Sequence, residues 1–325
     1  MKAKAYERTT LLPVNLLKSL IIGITGCLGS HLAEHLLEKG CAVSGTKKTG
    51  EPVDNIKHLI SKVKVLDIDL NDNESILRIV KETGPDQIYF LASAGRFDDY
   101  GNIYKTNVEG TINFFESLTA FSCRARIVLT SSSAVYGIHI GTNALKETDA
   151  LLPSNHYGLG KVFQEKIAKY YFNNHNLDVI IARPFNFTGP RENPFLVCTD
   201  FARQIVEFEK GKKEPIISVG NLDAERDLTD VRDTAAGLAL LAEMGGKGEI
   251  YNLCSGRAYK IQAILDKLLS MSRVKIEVKV ETGRLRTGET TIHYGDNSKL
   301  FSLTGWKPQI PLDKTLEDVL NYNRK

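Results

Sequence analysis

The sequence predicts a doubly wound α/β fold, in which helices cover both faces of a parallel sheet. Apolar runs rich in β-forming residues alternate with helical patterns over the first 183 residues, as is typical of parallel strands joined by helices. A glycine-rich turn separates the first predicted strand from the first predicted helix. The composition is that of an ordinary globular protein, with 42% hydrophobic and 25% charged residues among 325.

Each element of the first half is predicted from its own pattern. Leu32, Leu36 and Leu37 share one side of the first helix, and Gly40 lies just past its end. Strands are predicted at residues 20–24, 42–46, 63–68, 87–92, 126–130 and 179–182. Helices are predicted between them at residues 29–38, 75–82, 108–118 and 157–171.

The alternation ends near Arg183, where prolines and glycines mark a long irregular segment. Further helices are predicted near residues 200–210, 233–244, 261–270 and 312–321. We therefore predict two domains. Residues 1–183 form a Rossmann-type nucleotide-binding domain to which 216–245 return, and residues 184–325 mainly form a smaller α/β domain that contributes most of the substrate pocket.

Charge and composition argue against several classes of function. Lys plus Arg number 42 against 39 Asp plus Glu, and no basic tract interleaves with aromatic residues, so no nucleic-acid surface is expected. No apolar run reaches the roughly 20 residues of a membrane span, so no membrane partner is expected. The five cysteines are scattered, which predicts no metal site and indicates reduced thiols in a cytoplasmic protein. Residues 1–18 are interpreted as an extension that leads into the first strand.

The glycine-rich turn has the context of a dinucleotide-binding site, because it follows a strand and opens a helix. Glycines permit a tight turn and let the backbone approach a pyrophosphate at the helix N-terminus. The predicted cofactor-binding residues of this turn are Gly23, Gly26, Cys27, Leu28 and Gly29. The alternative is a plain strand-to-helix turn.

The end of the second strand favours NADP(H) over NAD(H). An acidic residue there would bind the adenosine ribose hydroxyls of NAD, whereas this chain has Lys47 and Lys48, which favour a 2′-phosphate. A solvated loop is the alternative interpretation of the two lysines. Asp69 and Leu70 follow the third strand, where a carboxylate is expected to bind the adenine amine or to cap a helix.

Tyr157 and Lys161 stand four residues apart, which places both side chains on one face of a helix. An ammonium group beside a phenol stabilises the phenolate, so the pKa of Tyr157 is expected to fall toward neutrality. A tyrosine of this kind exchanges a proton near neutral pH. A serine run that includes Ser132 lies upstream of the pair and, with the glycine turn, strengthens this interpretation. A solvated helix face is the alternative.

The chain is identified by these motifs as resembling the extended short-chain dehydrogenase/reductases. The resemblance covers essentially everything after residue 18 and rests on motifs that occur in that family's order and spacing: the glycine turn, Asp69-Leu70, Leu91-Ala92, Asn107 to Thr111, Ser131 to Gly137, and Tyr157 to Lys161. It implies an NADP-binding Rossmann domain, with Ser132, Tyr157 and Lys161 catalytic. It also implies that Leu91, Ala92 and Asn107 line the cofactor site.

The second half resembles the GDP-sugar branch of that family. The matching segments are Arg183 to Pro190, Val219 to Asp233, Tyr251 to Gly256, Leu285-Arg286 and Thr304 to Pro308. The resemblance implies a nucleoside-diphosphate sugar as substrate and a homodimer as the assembly. Arginines suit the diphosphate because a guanidinium matches phosphate oxygens bidentately. The implied substrate-binding residues are Ser133, Asn186, Arg191, Arg226, Arg286 and Glu289.

Ala134 separates the possible reactions. The dehydratases of this family carry a glutamate at that place as the base that removes a C5 proton, and alanine cannot accept a proton. Reduction of a C4 ketone needs no such base, and the resemblance therefore implies an NADPH-dependent reductase of a nucleotide-linked 4-keto-6-deoxyhexose. A 4-epimerase, a 4,6-dehydratase and an NADP-sensing regulatory protein stay as alternatives. No catalytic role is expected for His139, His156 or His293, which are interpreted as surface or loop residues.

Overall fold

The computed structural model describes residues 16–139, 141–281, 283 and 292–325. These residues form the strands β1 Lys18–Ile22, β2 Ala42–Lys48, β3 Lys64–Ile68, β4 Gln87–Phe90, β5 Arg126–Thr130, β6 Val179–Pro184, β7 Asn186–Thr188, β8 Ile216–Val219, β9 Glu225–Asp230, β10 Ile250–Leu253, β11 Ala258–Lys260, β12 Glu277–Val280 and β13 Ile292–His293.

The helices of the same residues are α1 Cys27–Glu38, α2 Asn73–Thr83, α3 Tyr100–Ile103, α4 Gly110–Ala120, α5 His156–His175, α6 Val197–Glu209, α7 Val231–Met244, α8 Ile261–Ser270, α9 Ser298–Thr304 and α10 Leu312–Arg324. Short 3₁₀ turns cover Asp54–Leu59 and Ser133–Tyr136, and a π-helical turn covers Tyr104–Glu109. Within the described ranges, no helix has the length and apolar character needed to span a bilayer.

Seven strands form one parallel sheet in the order β10-β6-β5-β4-β1-β2-β3, which confirms the doubly wound α/β prediction. The central strands are apolar on both faces because helices cover both; Leu20, Ile21 and Ile22 are all fully buried. Helices α1 and α7 pack together on one face. The core of the other face draws on α2, α4 and α5.

Residues after β6 build smaller sheets and also return to the large one. Strand β9 pairs with β7, β11 and β13, and β8 pairs with β12 in a separate two-stranded sheet. We predicted that residues 216–245 return to the first domain. In the structure, β8 pairs in the two-stranded sheet, whereas α7 and β10 join the large sheet. The reason is that β10 pairs along β6 and needs α7 as its crossover. The two-domain division itself stays a prediction.

Local geometry explains where several predicted boundaries moved. Strand β1 ends at Ile22 because Gly23 adopts a φ of +97°, which breaks the extended chain. Helix α5 is longer than predicted and runs from His156 to His175. The Asn155 side chain caps its start by accepting from the Gly158 amide at 2.9 Å, and the helix ends where Asn176 adopts a left-handed φ of +56°.

A buried ion pair joins α5 to the sheet. Arg183 of β6 donates through Nε and Nη2 to the two carboxylate oxygens of Glu165 at 2.8 and 2.7 Å, and both side chains are almost wholly buried. Ser131, at the end of β5, donates to the same carboxylate at 2.6 Å. The remaining guanidinium nitrogen donates to Tyr136, whose hydroxyl donates to Asn252 of β10. This network ties α5 to β5, β6 and β10.

Replacing Glu165 with leucine should destabilise the protein strongly. The change leaves the Arg183 charge buried without its carboxylate, which typically costs about 3–5 kcal/mol. The matched control is Glu82→Leu, which removes a 2.8 Å ion pair with Lys64 whose two side chains are 39% and 50% exposed. An exposed pair of this kind contributes at most about 1 kcal/mol. Urea-unfolding curves of both variants test this, and equal shifts in their midpoints would contradict it.

Candidate active site

A cavity of about 980 Å³ opens where the carboxyl ends of the large sheet face the second half of the chain. Segments after β4, β5 and β6 line one side of it, and α6 and the chain around β9 line the other. Ligands of open parallel sheets bind at this edge because the loops that follow the strands gather there. The cavity is therefore the candidate active site.

Ser132 and Tyr157 meet at the wall of this cavity. The Ser132 hydroxyl accepts from the Ala134 amide at 3.1 Å and also hydrogen-bonds the Tyr157 phenol. Helix α5 approaches the serine segment closely at Gly158, where an added Cβ would lie 2.5 Å from the Ala134 carbonyl oxygen. Glycine is needed at this position because any side chain would push α5 away from Ser132.

Lys161 lies one turn further along α5 and is 2% exposed. Its Nζ donates to the Thr130 carbonyl at the end of β5 at 2.9 Å and lies 5.8 Å from the centroid of the Tyr157 ring. Burial lowers the Lys161 pKa to about 7, and the Glu165 carboxylate opposes this shift. The structure thus brings Ser132, Tyr157 and Lys161 together. Their spacing had indicated only that Tyr157 and Lys161 share a helix face, and the catalytic role of the three stays a prediction.

The predicted fall in the Tyr157 pKa is wrong for this state of the protein. Burial raises the Tyr157 pKa above its usual value, and the hydrogen bond from Ser132 only partly opposes that effect. The physical reason is desolvation, which disfavours the phenolate in a site where the neighbouring Lys161 ammonium is itself disfavoured. Tyr157 is therefore a protonated acid at neutral pH.

The glycine turn has the shape required to hold a pyrophosphate. An added Cβ at Gly29 would lie 2.2 Å from the Gly23 carbonyl oxygen, so the turn closes only with glycine there. Gly26 begins α1 with extended backbone and no side-chain cap, which leaves the Cys27 and Leu28 amides at the helix end available to an anion. The residues of the turn therefore fit the phosphates of a dinucleotide.

The end of β2 differs in detail from the prediction. Lys47 forms an ion pair with Asp67 of β3 at 2.6 Å, so its charge is already offset, whereas Lys48 is exposed. The Asp69 carboxylate accepts from the Asn71 amide at 2.8 Å, and Leu70 is buried. Lys48 is therefore the better placed of the two lysines to meet a 2′-phosphate.

Asn107 positions a loop of the site through its buried side chain. Its side chain is fully buried; Oδ1 accepts from the Ala94 amide at 2.8 Å and Nδ2 donates to the Ala94 carbonyl at 3.1 Å. These two bonds hold the segment after β4, where Leu91 and Ala92 lie, and the Ala92 amide packs against Gly23. Asn107 therefore supports this loop, and its contact with a cofactor stays a prediction.

Of the predicted substrate-binding residues that the structure describes, three line the cavity and one does not. Ser133, Asn186 and Arg226 line the cavity. Arg191 does not line it; its guanidinium donates to both Glu34 carboxylate oxygens at 2.8 and 2.6 Å, so it holds the chain against α1. Arg286 and Glu289 lie outside the described residues.

Several lining residues escaped the sequence analysis. His293 is 9% exposed and lines the cavity, which corrects its interpretation as a surface or loop residue; burial, chiefly, lowers its pKa to about 4, and it is neutral at pH 7. Glu192 is a buried acid on the same wall, and Phe97 contacts Phe195 with ring centroids 5.9 Å apart. No local pattern marks them, because tertiary contacts alone bring these residues to the cavity.

The low pKa of Lys161 should appear in the pH dependence of stability. The unfolded lysine keeps its proton up to about pH 10.5, whereas the folded one loses it above about pH 7. The unfolded state then binds more protons, so stability rises with pH by at most about 1.4 kcal/mol per pH unit. Unfolding of the wild type minus that of Lys161→Met, measured between pH 7 and 8.5, isolates this slope, and parallel curves would refute the assignment.

Comparisons with known proteins agree with this geometry and with the resemblance seen in the sequence. GDP-6-deoxy-D-mannose reductase from Pseudomonas aeruginosa is 27% identical over 303 residues, covering 93% of this chain and 95% of the relative. GDP-mannose 4,6 dehydratase from Cricetulus griseus is 25% identical over 337 residues, covering 93% and 90%. The structure of RMD from Pseudomonas aeruginosa complexed with NADPH has a TM-score of 0.81 and 26% identity, covering 94% and 99%.

These similarities extend over nearly the whole chain, and a family model described as GDP-mannose 4,6 dehydratase matches residues 20–319. The match includes the glycine turn, the Ser132–Tyr157–Lys161 group and the strands around Arg226. The predicted resemblance is thereby confirmed, and the chain belongs to the GDP-mannose 4,6 dehydratase family of nucleotide-sugar enzymes.

Proposed function

We propose that this enzyme reduces the C4 ketone of a nucleotide-linked 4-keto-6-deoxyhexose with NADPH, converting GDP-4-keto-6-deoxy-D-mannose to GDP-D-rhamnose. The observation that carries the proposal is the cavity wall formed by Ser132, Ala134 and Tyr157. That wall supplies a proton donor and a second hydroxyl for a carbonyl oxygen. It supplies alanine at the place where a dehydratase of this family needs a base. The relatives alone support reductase and dehydratase equally.

The proposed chemistry follows from the protonation state of Tyr157 on this wall. Bound NADPH supplies the hydride that reduces the C4 carbon. Tyr157, kept protonated by its raised pKa, donates its phenol proton to the carbonyl oxygen, so the ketone becomes an alcohol. Ser132 donates a hydrogen bond to the same oxygen as negative charge grows on it.

Lys161 stabilises the phenolate that remains on Tyr157 after the proton leaves. In its ammonium form Lys161, whose Nζ lies 5.8 Å from the centroid of the Tyr157 ring, attracts the negative charge left on the phenol oxygen. The Glu165 carboxylate one turn away favours the same ammonium form. The residues of α5 thus assist the step in which charge appears.

The diphosphate of the substrate is proposed to lie near Asn186 and Arg226. Both line the cavity from β7 and β9, and Arg226 brings a positive charge. The preference for NADPH is supported by exposed Lys48 at the end of β2, and the relative with NADPH bound has the same fold.

The reaction is tested by offering the enzyme GDP-4-keto-6-deoxy-D-mannose or its dTDP counterpart together with NADPH. We expect NADPH oxidation with the GDP sugar and a rhamnose-configured product by NMR.

Tyr157→Phe should lower turnover by about 10²–10⁴-fold, because it removes the general acid. Its affinity for NADPH should change little. Reduction of the GDP sugar by Tyr157→Phe at the wild-type rate would contradict the proposed mechanism. GDP-mannose dehydration by the wild type would establish the alternative activity instead.

Cofactor preference should depend on Lys48. Lys48→Ala should lower kcat/KM with NADPH about tenfold, equivalent to about 1.4 kcal/mol, and leave kcat/KM with NADH unchanged. Lys47→Ala is the matched control, because Lys47 is already paired with Asp67, and its effect should be smaller. Steady-state kinetics with both cofactors decide the matter. An equal loss with NADH and NADPH in Lys48→Ala would rule out a 2′-phosphate contact.

A further inference from the structure

Glu192 is a buried acid in the active-site cavity to which the proposed reaction gives no task. It is 9% exposed and lines the cavity two residues after Pro190. Thr188 of β7 and Thr199 of α6 each donate a hydroxyl hydrogen bond to the same oxygen, Oε2, at 2.7 and 2.8 Å. No hydrogen bond from the described residues reaches the other oxygen, Oε1.

The surroundings of Glu192 favour its neutral form. Burial raises its pKa to about 7, although the two threonine hydroxyls oppose the shift. The titratable groups beside it are Cys27 of α1 and Cys198 of α6, whose thiols are kept neutral because burial raises their pKa values. The adjacent cation, Arg191, directs its guanidinium to Glu34.

More distant charges have partners of their own or lie across the cavity. The Asp230 carboxylate, which also acts on Cys27, accepts from Arg232 at 2.8 and 2.7 Å. Asp200 of α6 and Arg226 of β9 line the same cavity. Because both threonines donate to Oε2, the proton of the neutral acid belongs on Oε1, the oxygen left for a ligand.

The location of Glu192 indicates what Oε1 meets. The Cys27 thiol, at the pyrophosphate end of α1, lies 3.6 Å from the Pro190 carbonyl oxygen. On its other side Glu192 is held by Thr188, two residues after Asn186 on β7. The acid therefore stands between the two places where phosphate groups are expected. A neutral carboxylic acid donates to a phosphate oxygen, whereas a carboxylate repels it.

We propose that Glu192 acts as a neutral carboxylic acid whose Oε1–H donates a hydrogen bond to a diphosphate oxygen of a ligand in the cavity. The inference rests on the proposed function for the class of ligand. The diphosphate belongs either to the dinucleotide or to the nucleotide sugar. In both cases deprotonation removes the donor and places a negative charge beside the phosphate, so affinity falls as pH rises through about 7.

Binding measurements separate the two ligands. The dissociation constants of GDP-mannose alone and of NADPH alone are measured by calorimetry from pH 6 to 8.5, with wild type and Glu192→Gln. The amide of glutamine keeps a donor and does not titrate. For the ligand that Glu192 contacts, the wild-type constant should rise up to about tenfold per pH unit above pH 7 relative to Glu192→Gln. Taking this ratio cancels titration of the ligand's own phosphates.

Two further variants complete the test. Glu207→Gln changes an exposed-face carboxylate of α6 paired with Lys213 and should behave as wild type. Thr199→Val removes one donor to Oε2, which raises the Glu192 pKa further, so the loss of affinity should begin at higher pH. This shift tests the inference even if Glu192→Gln does not fold. Identical pH dependence in all variants for both ligands would overturn it.

The outcome also distinguishes this inference from the proposed function. If NADPH binds and GDP-mannose binds neither the wild type nor any variant at any pH, the proposed substrate class is wrong. The pH dependence of NADPH binding then tests the role of Glu192 by itself. If both ligands bind and only one shows the Glu192-dependent fall, that ligand carries the contacted diphosphate. Reduction of a GDP sugar with no Glu192-dependent fall would uphold the function and refute the inference.

Discussion

The active site depends on helix α5 being fixed against the carboxyl ends of β5 and β6. Lys161 is bonded to the last carbonyl of β5, and Glu165, one turn later, is bonded to Arg183 of β6. These contacts set the rotation and height of the helix, and Gly158 lets its first turn approach the serine segment. Tyr157 therefore meets Ser132 because Lys161 and Glu165 behind it are buried and hydrogen-bonded to the two strands, even though burial of each costs desolvation energy.

The second half of the chain completes the site by crossing back to the large sheet. Strand β10 pairs with β6, and its Asn252 accepts from Tyr136, which is bonded to Arg183. The network that holds the catalytic helix thus extends into the part of the chain that carries β9. A nucleotide sugar lying between the two halves would contact elements held in one continuous hydrogen-bonded framework, which keeps the carbonyl acceptor and the proton donor in register.

Local patterns predicted what lies close together in the chain. The glycine turn, the strand-helix alternation of a doubly wound sheet, and the shared helix face of Tyr157 and Lys161 follow from periodicity and short spacing. Contacts between residues far apart in the chain were not predicted: Arg191 binds Glu34, 157 residues away, and does not line the cavity. Glu192 and His293 reach the cavity through tertiary packing. The prediction for the Tyr157 pKa was wrong because the sequence shows which ionisable groups are neighbours and does not show how strongly burial disfavours their charged forms.

The protonation states of the free enzyme explain how the buried pair of Tyr157 and Lys161 is tolerated. Tyr157 has a raised pKa and Lys161 a pKa near 7, so neither group needs to be charged at neutral pH before ligands arrive. Negative charge would appear on Tyr157 when the phenol gives its proton to the carbonyl oxygen, and Lys161 in its ammonium form, with Nζ 5.8 Å from the ring centroid, would then stabilise that charge. Interactions that strengthen only as the reaction proceeds lower its barrier without tightening ground-state binding. If both groups were permanently ionised, their attraction would already be present before the carbonyl was reduced and would not lower the barrier.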